Sequence, residues 1–406
     1  MAEWSTVALN ALAAPVKSAF STGPFGSAVS AKNFRSDGIP MLRGSNLSED
    51  VGIRLNDADL VYLSPDLASQ FTRSTVRLGD LVFTCWGTVG QIGLIDDAAR
   101  YSTYIVSNKQ MKMTPDRDKV DPLFLYYNLS QPRMLDLVKS QAIGSSVPGF
   151  NLGQLRVLPV TLPSRSEQQA IAEVLGALDD KIAANTRLTG TIDEYLSTLF
   201  AGNVASCQDV APLRDLAEIN AESVKPSAGG SLRYIDIASV GIGRYDYPEA
   251  SAWAEAPGRA RRRVRKGDVL WSTVRPNRRS HALNLSDDPL LVGSTGLAVL
   301  TPSTVGFAYL YEVTRLPEFT AYLETVAEGS AYPAVRAERF GGASVRWLPR
   351  HDRETFEDIA APMREHAHAL ESEGRKLAAM RDVLLPQLMS GRIRVRDAEQ
   401  MMGDVV

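Results

Sequence analysis

The strongest periodic pattern in the chain lies at 164–202. Ile171, Leu175, Leu178, Ile182, Asn185, Thr189, Ile192, Leu196 and Leu199 follow one another in alternating steps of four and three. That spacing lays them along one stripe of a helix and reads as a coiled-coil seam, with Asn185 and Thr189 as a polar patch that helps fix register. Ser164 and Glu167 form a capping-box pattern just ahead of the stripe, and Gly202 supplies a stop. A second stretch at 350–391 repeats the spacing through Met363, Ala367, Leu370, Gly374, Leu377, Arg381, Leu384 and Leu388, and ends at Gly391. Pro362 and Pro386 are expected to kink this copy or shift its ends, because proline lacks the amide hydrogen that a helix interior uses.

Elsewhere the pattern shortens to strands and turns. Residues 80–84 and 268–273 are apolar, β-branched runs entered through a Gly-Asp turn, and Gly87, Gly90 and Gly93 mark a bulged or looped segment. Helices are expected to begin at 123–129 and 307–311, each followed by a second amphipathic stretch at 134–139 and 319–326. The chain repeats itself. Arg77-Leu-Gly-Asp80 matches Arg265-Lys-Gly-Asp268 at an offset of 188, and Ser107 to Pro115 matches Ser294 to Pro302 at 187. Gly144 with Pro148 matches Gly329 with Pro333 at 185, Leu162-Pro163 matches Leu348-Pro349 at 186, and Leu199 to Gly202 matches Leu388 to Gly391 at 189. Five matches in order at nearly constant offset indicate internal duplication. The expected fold class is therefore α+β: a globular segment at 1–163, a helix at 164–202, a second globular segment at 203–349, a second helix at 350–391 and a tail at 392–406. Two such helices either pack on their own domains or pair antiparallel. Paired, they would form a rod of about 50 Å, the length of roughly 15 base pairs.

Composition narrows the function classes only modestly. A length of 406 residues exceeds one compact core, and 44% hydrophobic with 22% charged residues is ordinary for a soluble globular protein. No run of 18 apolar residues suggests a membrane span, and the first ten residues lack the pattern of a secretory signal. Cys85 and Cys207 stand far apart, which argues against a disulfide framework and fits a reducing cytoplasm. Four histidines, with His366 and His368 on different sides of a helix, give poor metal geometry. The net charge of −3 is segregated: Lys+Arg against Asp+Glu is 15 to 14 over 1–163 and 17 to 16 over 203–349, but 3 to 6 and 6 to 8 over the two helices. Bulk charge therefore does not decide for or against nucleic acid.

Catalytic patterns are not found. The sequence has no Asn-Pro-Pro-aromatic run, no phosphate-binding Gly-x4-Gly-Lys-Ser/Thr, and no glycine-rich cofactor loop, since Gly241-Ile-Gly243 lacks the third glycine and a following helix. Pro115-Asp116-Arg117-Asp118-Lys119 reads as a charged turn, without the acidic partner that a nuclease cluster needs.

Several segments carry a family likeness. TGPFGSAVSAKNFRSDGIPMLRGSNL at 22–47 resembles the opening of a target-recognition domain in the specificity subunits of type I restriction-modification systems. GSSVPGFNLGQLRVLPVTLPSRSEQQAIAEVLGALDDKIAANTRL at 144–188 resembles the junction of that domain with the first central helix. YIDIASV at 234–240, RRVRKGDVLWSTVRPN at 262–277 and LLPQLMSG at 384–391 resemble the second domain and the distal helix. At 348–354 the usual Glu-Gln pair is missing, which leaves the start of the second helix open. The resemblance implies a non-catalytic subunit with two target-recognition domains, each reading one half of a bipartite, asymmetric DNA site. The helices would pair as an antiparallel coiled coil, set the unread spacer and dock two methyltransferase subunits. It implies no cofactor in this chain, with S-adenosylmethionine, ATP and Mg belonging to methyltransferase and motor-nuclease subunits, and a part in DNA methylation and phage defence. A coiled-coil scaffold that binds only protein and a stand-alone DNA-modifying enzyme are the alternatives.

Given that role, DNA-contact candidates are basic and aromatic residues in loops. Between 259 and 279 nine positive charges face Asp268 alone. Arg261, Arg262, Arg263 and Arg265 are expected to grip phosphate, and Arg275, Asn277, Arg278 and Arg279 to approach base edges. In the first half the candidates are Lys32, Asn33, Arg35, Arg43, Ser45, Asn46, Trp86, Thr88 and Gln91, with Ser145, Ser146 and Asn151 ahead of the helix; Tyr332, Arg336 and Arg339 form the matching loop of the second half.

Overall fold

A computed structural model describes residues 4–24, 29–144, 148–225, 229–329 and 332–403. The chain divides into two compact units, 1–184 with 373–406, and 185–372. Each unit takes one globular segment together with part of each long helix, Arg165–Val204 and Arg350–Met389.

In the first unit one four-stranded sheet is antiparallel, in the order Phe20–Thr22, Gln110–Met113, Leu81–Thr84, Ile92–Leu94. The other has the order Val61–Leu63, Ile39–Leu42, Tyr104–Val106, Thr75–Val76, with a parallel pair at its centre. Ser5–Ala8 pairs antiparallel with Pro159–Leu162 beside the start of the first long helix. The second unit has the same order: Ala217–Ile219, Leu297–Pro302, Val269–Ser272, His281–Leu283 in one sheet; Ala250–Ala252, Ser231–Ile235, Leu291–Ser294, Ala260–Arg263 in the other; and Val210–Pro212 with Ser344–Arg346. The repeated Arg-x-Gly-Asp explains itself in both. The Asp80 carboxylate accepts the Arg77 amide at 2.9 Å and the Asp268 carboxylate accepts that of Arg265 at 2.7 Å, while Gly79 and Gly267 take φ of 90° and 92°. A side chain there would be strained, so glycine and aspartate together make the turn that starts the central strand. The third expected loop glycine differs from its assignment: Gly93 lies inside the strand Ile92–Leu94, where a Cβ would meet Leu47 at 2.6 Å.

Paired helices follow those sheets, Pro122–Ser130 with Pro132–Gln141 and Phe307–Arg315 with Pro317–Val326. Each pair packs into a core that the long helices complete. Ile171, Leu175 and Leu178 join Leu377, Leu384 and Leu388 in the first unit. Ile192, Leu196 and Phe200 join Phe356, Ala360 and Ala367 in the second. Ile182 and Leu370 are half-buried.

Within each unit the two helices run antiparallel. Lys181 meets Glu373 at 3.7 Å and Arg381 meets Asp179 at 2.9 Å in the first unit. In the second, the Asn185 amide donates to the Leu370 carbonyl at 3.3 Å and Arg364 meets Asp193 at 2.6 Å. The helix ends depart from the sequence pattern in two places. The Ser164 hydroxyl accepts the Glu167 amide at 3.3 Å, but the first helix runs through Gly202 to Val204; no strained backbone at Gly202 enforces a stop. The second is continuous through Pro362 and Pro386 from Arg350 onward. It does stop at Gly391, whose φ is 67°. There the Gly391 and Arg392 amides return to the carbonyls of Leu388 and Gln387, which closes the helix with a paired C-terminal turn.

Candidate nucleic-acid interface

In both units the central strand of the antiparallel sheet ends in a loop that meets a second loop from just beyond the helix pair. Gly87 and Arg275, 188 residues apart, both adopt left-handed backbone, and their amides donate to the carbonyls of Pro148 at 3.2 Å and Pro333 at 2.7 Å. On this shared backbone frame the side chains differ. In the first unit the Trp86 indole is 49% exposed and lies against Gly149, where a Cβ would sit 2.6 Å from the ring. In the second, the Arg275 guanidinium lies 4.6 Å over the ring of Tyr332, which is 70% exposed. A stacked guanidinium keeps its donors free at the edge, so this pair presents charge and hydrogen-bonding capacity together.

The first-unit loops open onto a cleft of ≈ 570 Å³. Five of the sequence candidates, Arg43, Ser45, Trp86, Thr88 and Gln91, line it. Thr84, Ser107, Asn108, Lys109 and Gln110 line it too and were not singled out from sequence. One mark of Gln110 was available there: at the repeat offset of 187 it aligns with Leu297, a polar residue standing where the other copy is apolar. Thr88 and Thr84 donate to the Gln91 amide oxygen at 2.7 and 3.2 Å, and the Gln91 nitrogen donates to the Leu47 carbonyl at 3.1 Å, so this side chain is held in one orientation.

Other candidates have structural employment. Asn46 is fully buried; its oxygen accepts the Arg43 amide, and its nitrogen donates to the carbonyls of Asn56 at 2.9 Å and Ala58 at 3.0 Å. That corrects its assignment as a DNA contact, because its oxygen and its amide nitrogen are committed to backbone groups of the fold. Asn33 accepts from the Ser30 amide, and exposed Asn151 caps the short helix Leu152–Arg156. Lys32 and Arg35 are exposed and are not among the residues lining the cleft, although Phe34 is, and Ser145 and Ser146 lie outside the described residues.

The second-unit arginines divide in the same way. Arg261, Arg262 and Arg263 lie on the strand Ala260–Arg263; Arg261 donates to the Ala260 carbonyl and Arg263 to that of Pro289. Arg265 pairs with Glu222, and Lys266 with Glu365 at 2.7 Å. Arg336 pairs with Glu328 at 3.1 Å. Arg279 donates to the Arg315 carbonyl at 3.0 Å. Asn277, Arg278 and Arg339 are exposed. Beneath this surface His281 is fully buried, with its ring 4.8 Å from Trp271. Its Nδ1–H donates to the Arg279 carbonyl at 2.6 Å, which leaves Nε2 bare in the core. Burial, with help from the Arg315 and Arg279 charges, holds its pKa down to about 4.

Comparison with known proteins gives these loops a context. Residues 33–194 match the type I restriction modification DNA specificity domain. The chain is 27% identical to the type I restriction enzyme EcoBI specificity subunit of Escherichia coli over 178 residues, which is 42% of this chain and 36% of that protein. It is 28% identical to the HindI specificity subunit of Haemophilus influenzae over 99 residues, 24% of this chain and 22% of that one. The matched segments thus span about a third or less of these relatives. The type I restriction-modification S subunit from M. genitalium shares the fold at a TM-score of 0.62 and 14% identity, over 95% of this chain and 96% of that one.

Proposed function

We propose that this chain, which is similar over part of its length to type I restriction-modification specificity subunits, reads DNA for a methyltransferase and does no chemistry itself. Each globular domain contacts one half of a bipartite, asymmetric double-stranded site. The long helices set the spacer between the halves and dock two methyltransferase subunits. S-adenosylmethionine, and with motor-nuclease subunits ATP and Mg, are used by those partners in the cytoplasm.

The observation that carries this reading is the pair of equivalent loop junctions: one backbone frame, built twice, bearing an indole in one copy and a stacked arginine in the other. A single protein partner bound twice would favour like surfaces. Two different half-sequences require unlike ones. The test is to express the chain with its methyltransferase subunit in a host lacking adenine methylation and to sequence the methylome. A split motif with two unlike halves and a fixed gap is expected. A continuous or palindromic motif, or methylation by the purified chain alone, would overturn the proposal.

A further inference from the structure

We propose that the first-unit cleft is a binding site for a single unpaired nucleobase, inserted edge-first onto Gln110 beside the Trp86 indole. This rests on the reading of the chain as a DNA-binding subunit and extends it. Gln110 is fully buried; its side-chain oxygen accepts from the Ser107 hydroxyl, while its Nε2 has no partner among the described residues. An unmade buried donor is costly, and Gln110 is one of the residues that line the cleft. The space is created by Gly44. A Cβ built on that residue would lie 3.8 Å from the Gln110 nitrogen and 3.9 Å from both the Gln91 oxygen and the Thr88 hydroxyl. The unpartnered Gln110 amide and the Thr88 hydroxyl, with the Gln91 oxygen already held by Thr88 and Thr84, therefore converge near one point at the floor of a cleft that also offers an aromatic ring. Exposed Lys109 and half-exposed Arg43 stand among the lining residues with charge for a phosphate.

A base still paired in a duplex presents only its edge in a groove, and cannot reach a fully buried amide. A base that has left the stack can, and a polar floor with an aromatic wall is how such a base is held. The second unit shows what the same frame looks like when closed. The short 3-10 helix Gly44–Asn46 has its counterpart in Ile237–Ser239, so Ile237 stands where Gly44 does, and Leu297 stands where Gln110 does. The Ile237 side chain occupies the space over Gly296 that even a Cβ could not share.

The experiment transplants that closure. Gly44→Ile and, separately, Gln110→Leu are made in the full chain. Each is titrated with pentamers of deoxyadenosine, deoxycytidine, deoxyguanosine or thymidine, with an abasic pentamer, and with the matching deoxynucleoside monophosphates. Tryptophan emission is the readout, and Trp86→Phe identifies the contribution of that indole. At least one pentamer should quench saturably, and both variants should weaken it by about ten-fold or more while melting as the wild type does. The abasic pentamer should show no Gly44 dependence. A monophosphate that binds as tightly as its pentamer identifies a free nucleotide as the source, and a much weaker one identifies a displaced strand. If every pentamer binds Gly44→Ile and Gln110→Leu as well as wild type, the proposal fails. A split methylation motif surviving that result would leave the DNA-reading role standing, and its absence would remove both.

Discussion

The two globular units are the same construction with different interiors at one place. Strand order, the Asp-closed turn, the left-handed residue after the central strand and the cross-loop hydrogen bond recur in both. Glycine and glutamine open a polar cleft in the first; isoleucine and leucine fill its counterpart in the second, which instead puts Arg275 on Tyr332 at the surface. Backbone hydrogen bonds and buried turns cannot vary without loss of the frame, whereas side chains at a loop junction can. Duplication followed by divergence at that junction gives two unlike surfaces on one scaffold.

The largest expected effects come from the charges that fasten each unit to the long helices. In the second unit Arg364 and Arg315 together hold Asp193 and Glu312, at 2.6 to 3.1 Å where Arg364 meets Asp193 and Arg315 meets each acid. In the first unit Arg381 holds buried Asp179 at 2.9 Å, with exposed Asp50 and Asp382 alongside. Burial raises Asp179 above the ordinary carboxylate range despite Tyr127 and Arg381, whereas at Asp193 burial is outweighed by Arg315 and Arg364, which hold it below. Arg364→Ala should therefore cost up to about 3–5 kcal/mol by leaving buried Glu312 with Arg315 alone as its charged partner. Arg381→Ala should cost less, and its cost should shrink as pH falls, because Asp179 takes up a proton more readily. Denaturant melts of both variants across pH measure this; equal, pH-independent losses would break the contrast.

Acid should separate the units next. His281 is buried neutral with a pKa near 4 against about 6.5 when unfolded, so the unfolded chain binds the extra proton between those values. The stability that neutral His281 contributes to the second unit is full above about pH 6.5 and is lost as pH falls toward 4, by about 3 kcal/mol. At lower pH depressed Asp193 adds to the loss while raised Asp268 and Glu357 oppose it in the same unit, and in the first unit raised Asp179 opposes depressed Asp116. Trp271 stacks on His281 and reports the second unit by its emission. His281→Phe should flatten the dependence between pH 6.5 and 4.

Much of this frame was legible in the sequence. The helix seams, the Arg-x-Gly-Asp turns and the duplicated helix pairs depend on local periodicity and backbone constraint, which the chain displays directly. The expected stop at Gly202 failed because a glycine ends a helix only where the backbone turns left-handed, as at Gly391 but not there. The interface was less legible. Asn46 looked like a polar loop residue, yet three backbone groups claim it. Gln110 looked like one residue of a strand, and only the fold shows Gly44 opening space in front of it. Charge density drew attention to Arg261–Arg265, while ion pairs and carbonyls within the unit engage several of those groups.

At the arginine face, Arg275→Ala removes a guanidinium stacked on Tyr332, and Arg278→Ala removes an exposed one. If either reads a base edge, discrimination at one half of the split motif should fall by about 1–3 kcal/mol, with the other half unchanged. Competition between duplexes altered in one half at a time measures it; uniform weakening across all duplexes would assign these residues to phosphate instead.

The smallest change sharpens the comparison most. Gly44→Ala adds only a Cβ, which meets nothing nearer than 3.8 Å, and the residue is not among those with positive φ. Replacing glycine at an unstrained position stiffens the unfolded chain, so stability should hold or rise by about 0.4–1 kcal/mol. Thermal melts check this directly. Gly44→Ala then separates two explanations for glycine at this position. A fold that tolerates alanine but a cleft that no longer binds as wild type would mean that glycine is kept for the space in front of Gln110. Destabilisation would mean that the backbone itself requires it, and that Ile237 in the other copy rests on a local conformation the first unit does not share.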